Sequence, residues 1–178
     1  MVDRERRQKL ALHLRHLSVG LISNDGFESN LMDDVTNGWL PEQYYRAKQA
    51  RFDDPIIQPM LEFCWGLYDD TRNHKLKGPD ELSVESLKVI ARCILFLHSD
   101  QEYKWPYFDT NSPLFKFSVK EIAACILTFG QYYRDKREQQ VQAYLEFQKN
   151  GNFEVWPFMT ERDYKAQLVK QPFLGRKF

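Results

Sequence analysis

A chain of 178 residues, 43% hydrophobic and 15% aromatic, is long enough to bury one core and too aromatic to be disordered. Its 25 basic and 25 acidic residues cancel, which disfavours nucleic-acid binding because that function needs a dominant basic field. Only 8 Gly are present, which argues against a turn-rich all-β fold. We therefore expect one helical domain over residues 1–178.

The cysteines and the N-terminus indicate a cytoplasmic protein. Cys64, Cys93 and Cys125 are widely spaced, lie in apolar helical runs and include no Cys-x-x-Cys motif, so we expect buried thiols rather than disulfides or a metal knuckle. The charged N-terminus lacks the apolar segment of a signal peptide. No run approaches the ~20 apolar residues of a membrane span. We expect no metal and no cofactor.

The zero net charge hides an uneven distribution. Residues 1–22 carry five basic and two acidic side chains, net +3, and residues 23–85 carry six and thirteen, net −7. Residues 86–178 carry fourteen and ten, net +4. Two interpretations remain open: the charges interleave in space and cancel, or the acidic middle forms a surface that steers a basic protein partner.

The first half of the chain predicts four helices. Leucines recur at three and four residues over 3–21, a short helix follows over 27–35, and Pro41 fits the first position of a third helix. Asp54 followed by Pro55 predicts a capped start for a core helix ending near Tyr68. Pro59 lies one turn in, so this helix is expected to kink or to start late.

The second half begins with a polar loop over 69–80 and a central helix over 84–99, capped by Ser83 and apolar almost all round. Apolar periodicity then extends over 119–149, and this helix either breaks near Gly130 or projects in its second half. Thr160 caps a last short helix. We expect the central helix to be the most buried, with the 55–68 and 119–133 helices packed on it.

Two aromatic segments, Trp105-Pro106 and Trp156-Pro157, each follow a long helix, and proline prevents the helix from continuing through them. The spacing of the glutamates upstream differs, so we interpret them as separate corners that cover helix ends. The predicted fold is therefore all-α, a single compact irregular bundle of about six to seven helices with two aromatic Trp-Pro corners.

Arg92 is the one full charge within the central apolar run. An unpaired guanidinium there would cost several kcal/mol, so we predict a buried ion pair with Asp69, Asp70 or Glu102. The alternatives are a stem that reaches solvent and a site for a ligand anion.

Catalytic motifs are absent, since no nucleophile elbow, phosphate-binding loop, zinc-protease motif or dinucleotide fingerprint occurs, and we assign no catalytic residue. Of the pairs Asp33-Asp34, Asp53-Asp54 and Asp69-Asp70, the second is explained by capping. The third follows the C-terminus of a core helix, where negative charge is disfavoured and a positive neighbour is needed.

We therefore expect a non-catalytic protein-binding module of the inhibitor or immunity type, which presents an acidic, aromatic surface to a basic partner. The candidate binding residues are Asp69, Asp70, His74, Arg92, Glu102, Trp105 and Trp156. The alternative is a hydrolase-like enzyme that uses Asp69, Asp70, His74 and Arg92.

Overall fold

The computed structural model describes residues 1–46, 53–105 and 119–171. Over these ranges the chain forms seven α-helices and no strand, which confirms the all-α prediction. In chain order the helices are α1 (Arg4–Ser18), α2 (Asn24–Asp34), α3 (Ile57–Trp65), α4 (Val84–Leu97), α5 (Val119–Leu127), α6 (Gln131–Asn150) and α7 (Glu161–Lys170). Short 3₁₀ segments lie at Pro41–Arg46, Gly78–Asp80 and Phe153–Val155.

The helices begin where short polar side chains can satisfy their first free N–H groups. Ser83 Oγ accepts from Ser86 N at the start of α4, and the Thr160 side chain accepts from Asp163 N at the start of α7. Both caps were predicted from the sequence. Asp3 and Ser23 cap α1 and α2 in the same way.

The core is built around α4, which packs against α1 and α7. Ile90 and residues 93–97 of α4 are buried, and Ile94 is only 7% exposed, so the predicted burial of the central helix is confirmed. Helix α1 contributes the fully buried leucines Leu10, Leu14 and Leu17 to the same core. The four- and three-residue spacing of those leucines gives α1 one apolar face.

Helix α3 starts at Ile57, two residues later than a cap at Asp54 would place it, and Ile56 at its N-cap position makes no side-chain capping bond. Pro59 is therefore the third helical residue, where its missing N–H costs no intrahelical bond, and the late start is confirmed. Asp54 is not the N-cap of α3: its carboxylate binds Arg7, and its Oδ1 also accepts from Ile56 N at 3.3 Å, before the helix begins.

The predicted break near Gly130 is confirmed: Gly130 has φ +82°, a conformation that favours glycine, and it separates α5 from α6. The two helices pack on each other and form a hairpin. The prediction that residues 119–133 pack on the central helix is wrong. No residue of α5 is buried, and its large apolar side chains face solvent.

The corner at Trp156-Pro157 covers α4 as predicted, since Phe158 packs edge-on against Phe96 with ring centroids 5.1 Å apart. Pro106 of the first corner and the residues up to 118 lie outside the described residues. None of the helices in the described ranges has the length and apolar character that crossing a bilayer requires.

Candidate binding surface

A fully buried ion pair joins α1 to the segment before α3. Arg7 Nε lies 2.6 Å from Asp54 Oδ2 and Nη2 lies 2.9 Å from Oδ1, and neither side chain is exposed. Arg7 Nη1 also donates to the carbonyl oxygens of Ser99 and Gln101, at 3.1 and 2.9 Å. Bidentate geometry and these extra acceptors satisfy the guanidinium inside the core. The pair therefore joins three segments that are distant in sequence.

Arg92 does not form the buried ion pair predicted for it. It is half-buried, and its Nε donates to the carbonyl oxygen of Trp156 at 3.3 Å. Among the described residues no ion pair joins it to Asp69, Asp70 or Glu102. The reason is that Arg92 lies at the edge of α4, beside the 153–158 corner, where a backbone carbonyl serves as its acceptor.

Part of the acidic middle segment is neutralised by the basic helix α1. Arg6 Nη1 lies 2.7 Å from Asp53 Oδ2, Lys9 lies 3.4 Å from Asp34, and His13 Nε2 lies 2.7 Å from the same Asp34 carboxylate. The bond from His13 is the main reason why the pKa of Asp34 falls below its usual value. Interleaving of charges therefore holds on this side of the molecule.

The loop that carries Asp69, Asp70 and His74 is fixed to α2 by the buried Asn24. The Asn24 side chain donates to the carbonyl oxygen of Arg72 at 2.9 Å and accepts from His74 N at 2.7 Å. Asn24 N also donates to the His74 carbonyl oxygen at 3.0 Å. One asparagine therefore supplies the donors and acceptors that an exposed loop would otherwise take from water.

The exposed side of α3 and the loop that follows it form an acidic, aromatic patch that we call the Trp65 surface. It consists of Glu62 and Trp65 on the helix and Asp69 and Asp70 in the loop. Trp65 is 43% exposed, and its Nε1 donates to Asp70 Oδ2 at 3.2 Å. Asp69 accepts from the N–H and hydroxyl of Thr71, which lowers the pKa of Asp69, and its carboxylate also forms an exposed ion pair with Arg72 at 3.7 Å. Glu62 is exposed one turn before Trp65.

The predicted residues Trp105 and Trp156 serve the core more than the surface. Trp105 is 5% exposed, donates from Nε1 to the Phe158 carbonyl oxygen at 3.2 Å and contacts Phe147 and Phe153 with its ring. Trp156 is half-buried and donates to the hydroxyl of Tyr103 at 3.1 Å. Indoles with satisfied N–H groups of this kind are typical of buried corners.

Glu102 is exposed at the rim of a cavity of about 330 Å³. This cavity lies between the segment after α4 and the corner before α7, and its lining is Phe96, Gln101, Glu102, Lys104, Pro157, Met159 and Asp163. None of Asp69, Asp70, His74 and Arg92 contributes to it. The seven predicted residues therefore divide among the loop after α3, the edge of α4, this cavity and the buried corners.

Within the described ranges, no three His, Cys, Asp or Glu side chains are grouped closely enough to hold a metal ion. Comparison of the chain with protein-family models, with curated proteins and with solved structures finds no match. Functional inference therefore depends on the chemistry of the surfaces themselves.

Trp65 is absent from the sequence-based candidates, although its position carries a usable signal. Ile57, Met60, Leu61 and Cys64 define the buried side of α3 at helical spacing. Glu62 falls opposite that side and Trp65 at its border, three residues apart and just before the Asp69-Asp70 pair. An aromatic side chain at the border of the apolar side, next to acidic residues, is the signal that could have found it.

Proposed function

We propose that this chain is a non-catalytic binding module that presents the Trp65 surface to a basic segment of a protein partner. The observation that carries the proposal is an exposed indole whose N–H donates to the Asp70 carboxylate, with the exposed Glu62 one turn earlier on the same helix. Tryptophan is among the commonest residues at interface hot spots, and the charged rim around it would select a partner of opposite sign.

The chemistry favours a lysine or arginine side chain of the partner. A cation placed over the Trp65 ring gains a cation–π interaction, and the Asp70 carboxylate, which is bonded to the indole, attracts it electrostatically. Because Nε1 already donates to Asp70, the ring is held in one orientation before the partner arrives. The anchoring of the loop by Asn24 adds to this preorganisation, which reduces the entropy lost on binding.

The hydrolase alternative gains no support from the contacts of its four residues. His74 Nδ1 lies 2.9 Å from the carbonyl oxygen of Arg72 in its own loop, and Arg92 is bonded to the corner carbonyl of Trp156. A catalytic base and a positioning cation should converge on one concave site. We therefore keep binding as the proposed function.

The test is a titration of the ¹⁵N-labelled protein with a synthetic lysine- and arginine-rich peptide, followed through the indole Nε1–H resonance of Trp65. We expect that resonance to shift, and the affinity to fall as ionic strength rises from about 0.01 M to about 0.15 M. Trp65→Ala should weaken binding at least about tenfold, as removal of an interface anchor does.

Trp39→Ala is the matched control, because Trp39 is 37% exposed and lies outside the Trp65 surface. The double variant Asp69→Asn/Asp70→Asn removes two charges of the Trp65 surface. Its control is the double variant Asp25→Asn/Asp33→Asn, which removes two exposed charges elsewhere. Affinity independent of salt, or equal losses in the Trp39 and Trp65 variants, would show that this surface does not bind basic segments.

A further inference from the structure

The outward side of α5 is apolar and is not covered by any of the residues that the structure describes, and it is separate from the Trp65 surface. Its exposed fractions are 84% for Val119, 71% for Ile126 and 80% for Leu127. Ile122 is 41% exposed, and Phe129, just beyond the helix, is 96% exposed. At 100° per residue these helical positions lie on one side of α5, with the small exposed Ala123 at their centre. We call this the α5 face.

The charges of α5 lie away from the α5 face. Glu121, on the side towards α6, forms an ion pair with Lys136 of that helix. Lys120 is the other charged residue of α5 and lies at the margin of the face. The half-buried side of α5 carries Glu121 with the small residues Ala124 and Cys125, whereas its largest apolar side chains face water.

The exposed apolar area of the α5 face is larger than that of a single apolar residue on a protein surface. Four of its side chains are more than two-thirds exposed, so it offers on the order of 600 Å² of apolar surface, the upper end of one patch on an ordinary monomer. A standard interface buries about 800 Å² on each partner. With its polar margin, the face has the size that one side of a homodimer requires.

Charge and symmetry indicate which partner fits. The hairpin over residues 119–150 carries five basic and four acidic side chains, so it lacks the basic excess that draws an amphipathic helix to an anionic membrane. A nearly neutral hairpin also imposes little repulsion between two copies of itself. Ala123 lies between two pairs of apolar residues: Val119 and Ile122 come before it, and Ile126 and Leu127 come after it. Two such helices can therefore pack antiparallel with apolar contacts on both sides of a two-fold axis.

We propose that two copies of this chain associate through their α5 faces, with Ala123 at the two-fold axis. The two hairpins then form a four-helix arrangement in which small central residues allow close approach of the α5 helices. The Trp65 surface lies on another part of the chain, so the dimer would present two copies of it. The proposal does not depend on that surface binding anything.

Sedimentation velocity of the full chain between about 1 and about 100 μM tests the proposal, together with the variant Ile126→Glu. We expect the wild type to reach twice 21.3 kDa with rising concentration. Ile126→Glu should raise the dissociation constant at least about a hundredfold, because the interface would bury two unpaired carboxylates, one from each copy. Circular dichroism should show unchanged helicity, since Ile126 is exposed in the single chain.

Val169→Glu is the matched control: Val169 is 81% exposed on α7, and this variant should dimerise like the wild type. A second variant, Ala123→Cys, should form a disulfide-linked dimer under mild oxidation. The proposal is overturned if the wild type remains monomeric at about 100 μM, or if it dimerises equally well with Glu at position 126. It is also overturned if monomeric wild type instead co-sediments with phosphatidylcholine–phosphatidylserine vesicles.

Discussion

Helices α4 and α5 are both mainly apolar and each contains two isoleucines, yet one lies at the centre of the molecule and the other lies on its surface. In α4, Ile90 is 2% exposed because α1 and α7 cover it. In α5, which packs on α6 within the described ranges, Ile126 is 71% exposed because it lies on the side away from that helix. An apolar helix sequence therefore shows that burial would be favourable. Whether the helix is buried depends on which other helices pack against it.

The two regions also differ in how their charges are used. Around α4, the buried pair of Arg7 and Asp54 links the N-terminal helix, the start of α3 and the segment after α4. In the hairpin, the charged residues lie on the exposed surface of α6 or pair across it. Mutations of equal chemistry in the two regions should therefore have very different effects on stability.

The largest difference should come from Arg7→Met. Removing the guanidinium leaves the Asp54 carboxylate buried without its main partner and frees two buried carbonyl oxygens, so we expect a loss of about 3–5 kcal/mol in the free energy of unfolding. Urea denaturation followed by circular dichroism measures it. The matched control is Arg4→Met on the same helix, whose ion pair with Asp100 is solvent-exposed and should matter by less than about 1 kcal/mol.

Asp54→Asn completes a double-mutant cycle with Arg7→Met. Because the two groups are in direct contact, the double variant should be more stable than the sum of the single losses predicts, by about 1–3 kcal/mol. Additive losses would contradict the view that this pair is a single stabilising unit.

A pair of identical substitutions compares the regions directly: Ile90→Ala and Ile126→Ala. The first leaves a cavity in the core and should cost about 2–5 kcal/mol, whereas the second removes an exposed side chain and should change stability by less than about 0.5 kcal/mol. Thermal melts of both variants should be recorded at a concentration low enough to keep the chain monomeric, since association would add its own stabilisation.

Equal losses at the two positions would mean that α5 is covered within a single chain, and the contrast between the regions would fail. A large loss at Ile126 that appears only at high concentration would instead support association through the α5 face.

The pattern of helices could be predicted from the sequence because its signals are local. The Ser83 and Thr160 caps, the break at Gly130 and the periodicity of Leu10, Leu14 and Leu17 each depend on residues within a turn or two. Packing could not be predicted in the same way. Arg92 was predicted to form the buried ion pair because its neighbours in sequence are apolar, whereas the pair involves Arg7, whose partner is 47 residues away.

In the candidate site, too, the features that depend on nearby residues could be predicted from the sequence, and those that depend on packing could not. Asp69 and Asp70 were identified because acidic residues after a helix C-terminus conflict with the helix dipole, which is a local argument. Trp65 was missed because it borders the apolar side of α3, so the sequence signal is weak and the packing of α3 was needed to show that the indole is exposed. That residue carries the function proposed above.

A smaller effect should come from Gly151→Ala, at the point where the hairpin rejoins the core. A Cβ at this position would lie 2.5 Å from Cη2 of the Trp105 ring, with two further ring atoms within 3.0 Å. Since Trp105 is buried and bonded to the Phe158 carbonyl, the ring cannot move freely, and we expect a loss of about 1–3 kcal/mol. Chemical denaturation with tryptophan fluorescence reports both stability and ring displacement.

Gly66→Ala is the matched control, because a Cβ there meets only the Phe63 carbonyl oxygen at an ordinary 3.5 Å. Its φ of −75° also suits alanine, so this variant should be neutral or slightly more stable. If both substitutions proved neutral, the contact between Gly151 and Trp105 would not hold the hairpin to the core.

The smallest effect concerns Asp34, which, like Asp54, pairs with a basic side chain of α1 but is partly exposed to solvent. His13 Nε2 donates to its carboxylate and Lys9 lies nearby, so the pKa of Asp34 lies below its ordinary 3.8 in the folded chain. A carboxyl whose pKa is lowered by folding adds stability above its unfolded pKa, and this contribution disappears as the pH falls through the folded value. Asp34→Asn should therefore lower Tm at pH of about 6, by no more than about 2 °C because solvent screens the interaction.

As the pH falls below the ordinary pKa of an aspartate towards the lowered pKa of folded Asp34, the Tm values of wild type and Asp34→Asn should approach each other, since the carboxyl becomes protonated first in the unfolded chain and then in the folded one. Asp33→Asn is the neighbouring control: Asp33 is exposed and joins none of the ion pairs of the described residues, so its Tm should follow the wild type throughout. A difference for Asp34→Asn that persists undiminished into acid would mean that the loss comes from packing. In that case the positive charges of His13 and Lys9 on α1 would not stabilise the Asp34 carboxylate. Asp34 would then differ from Asp54 of the buried Arg7–Asp54 pair only in its exposure to solvent.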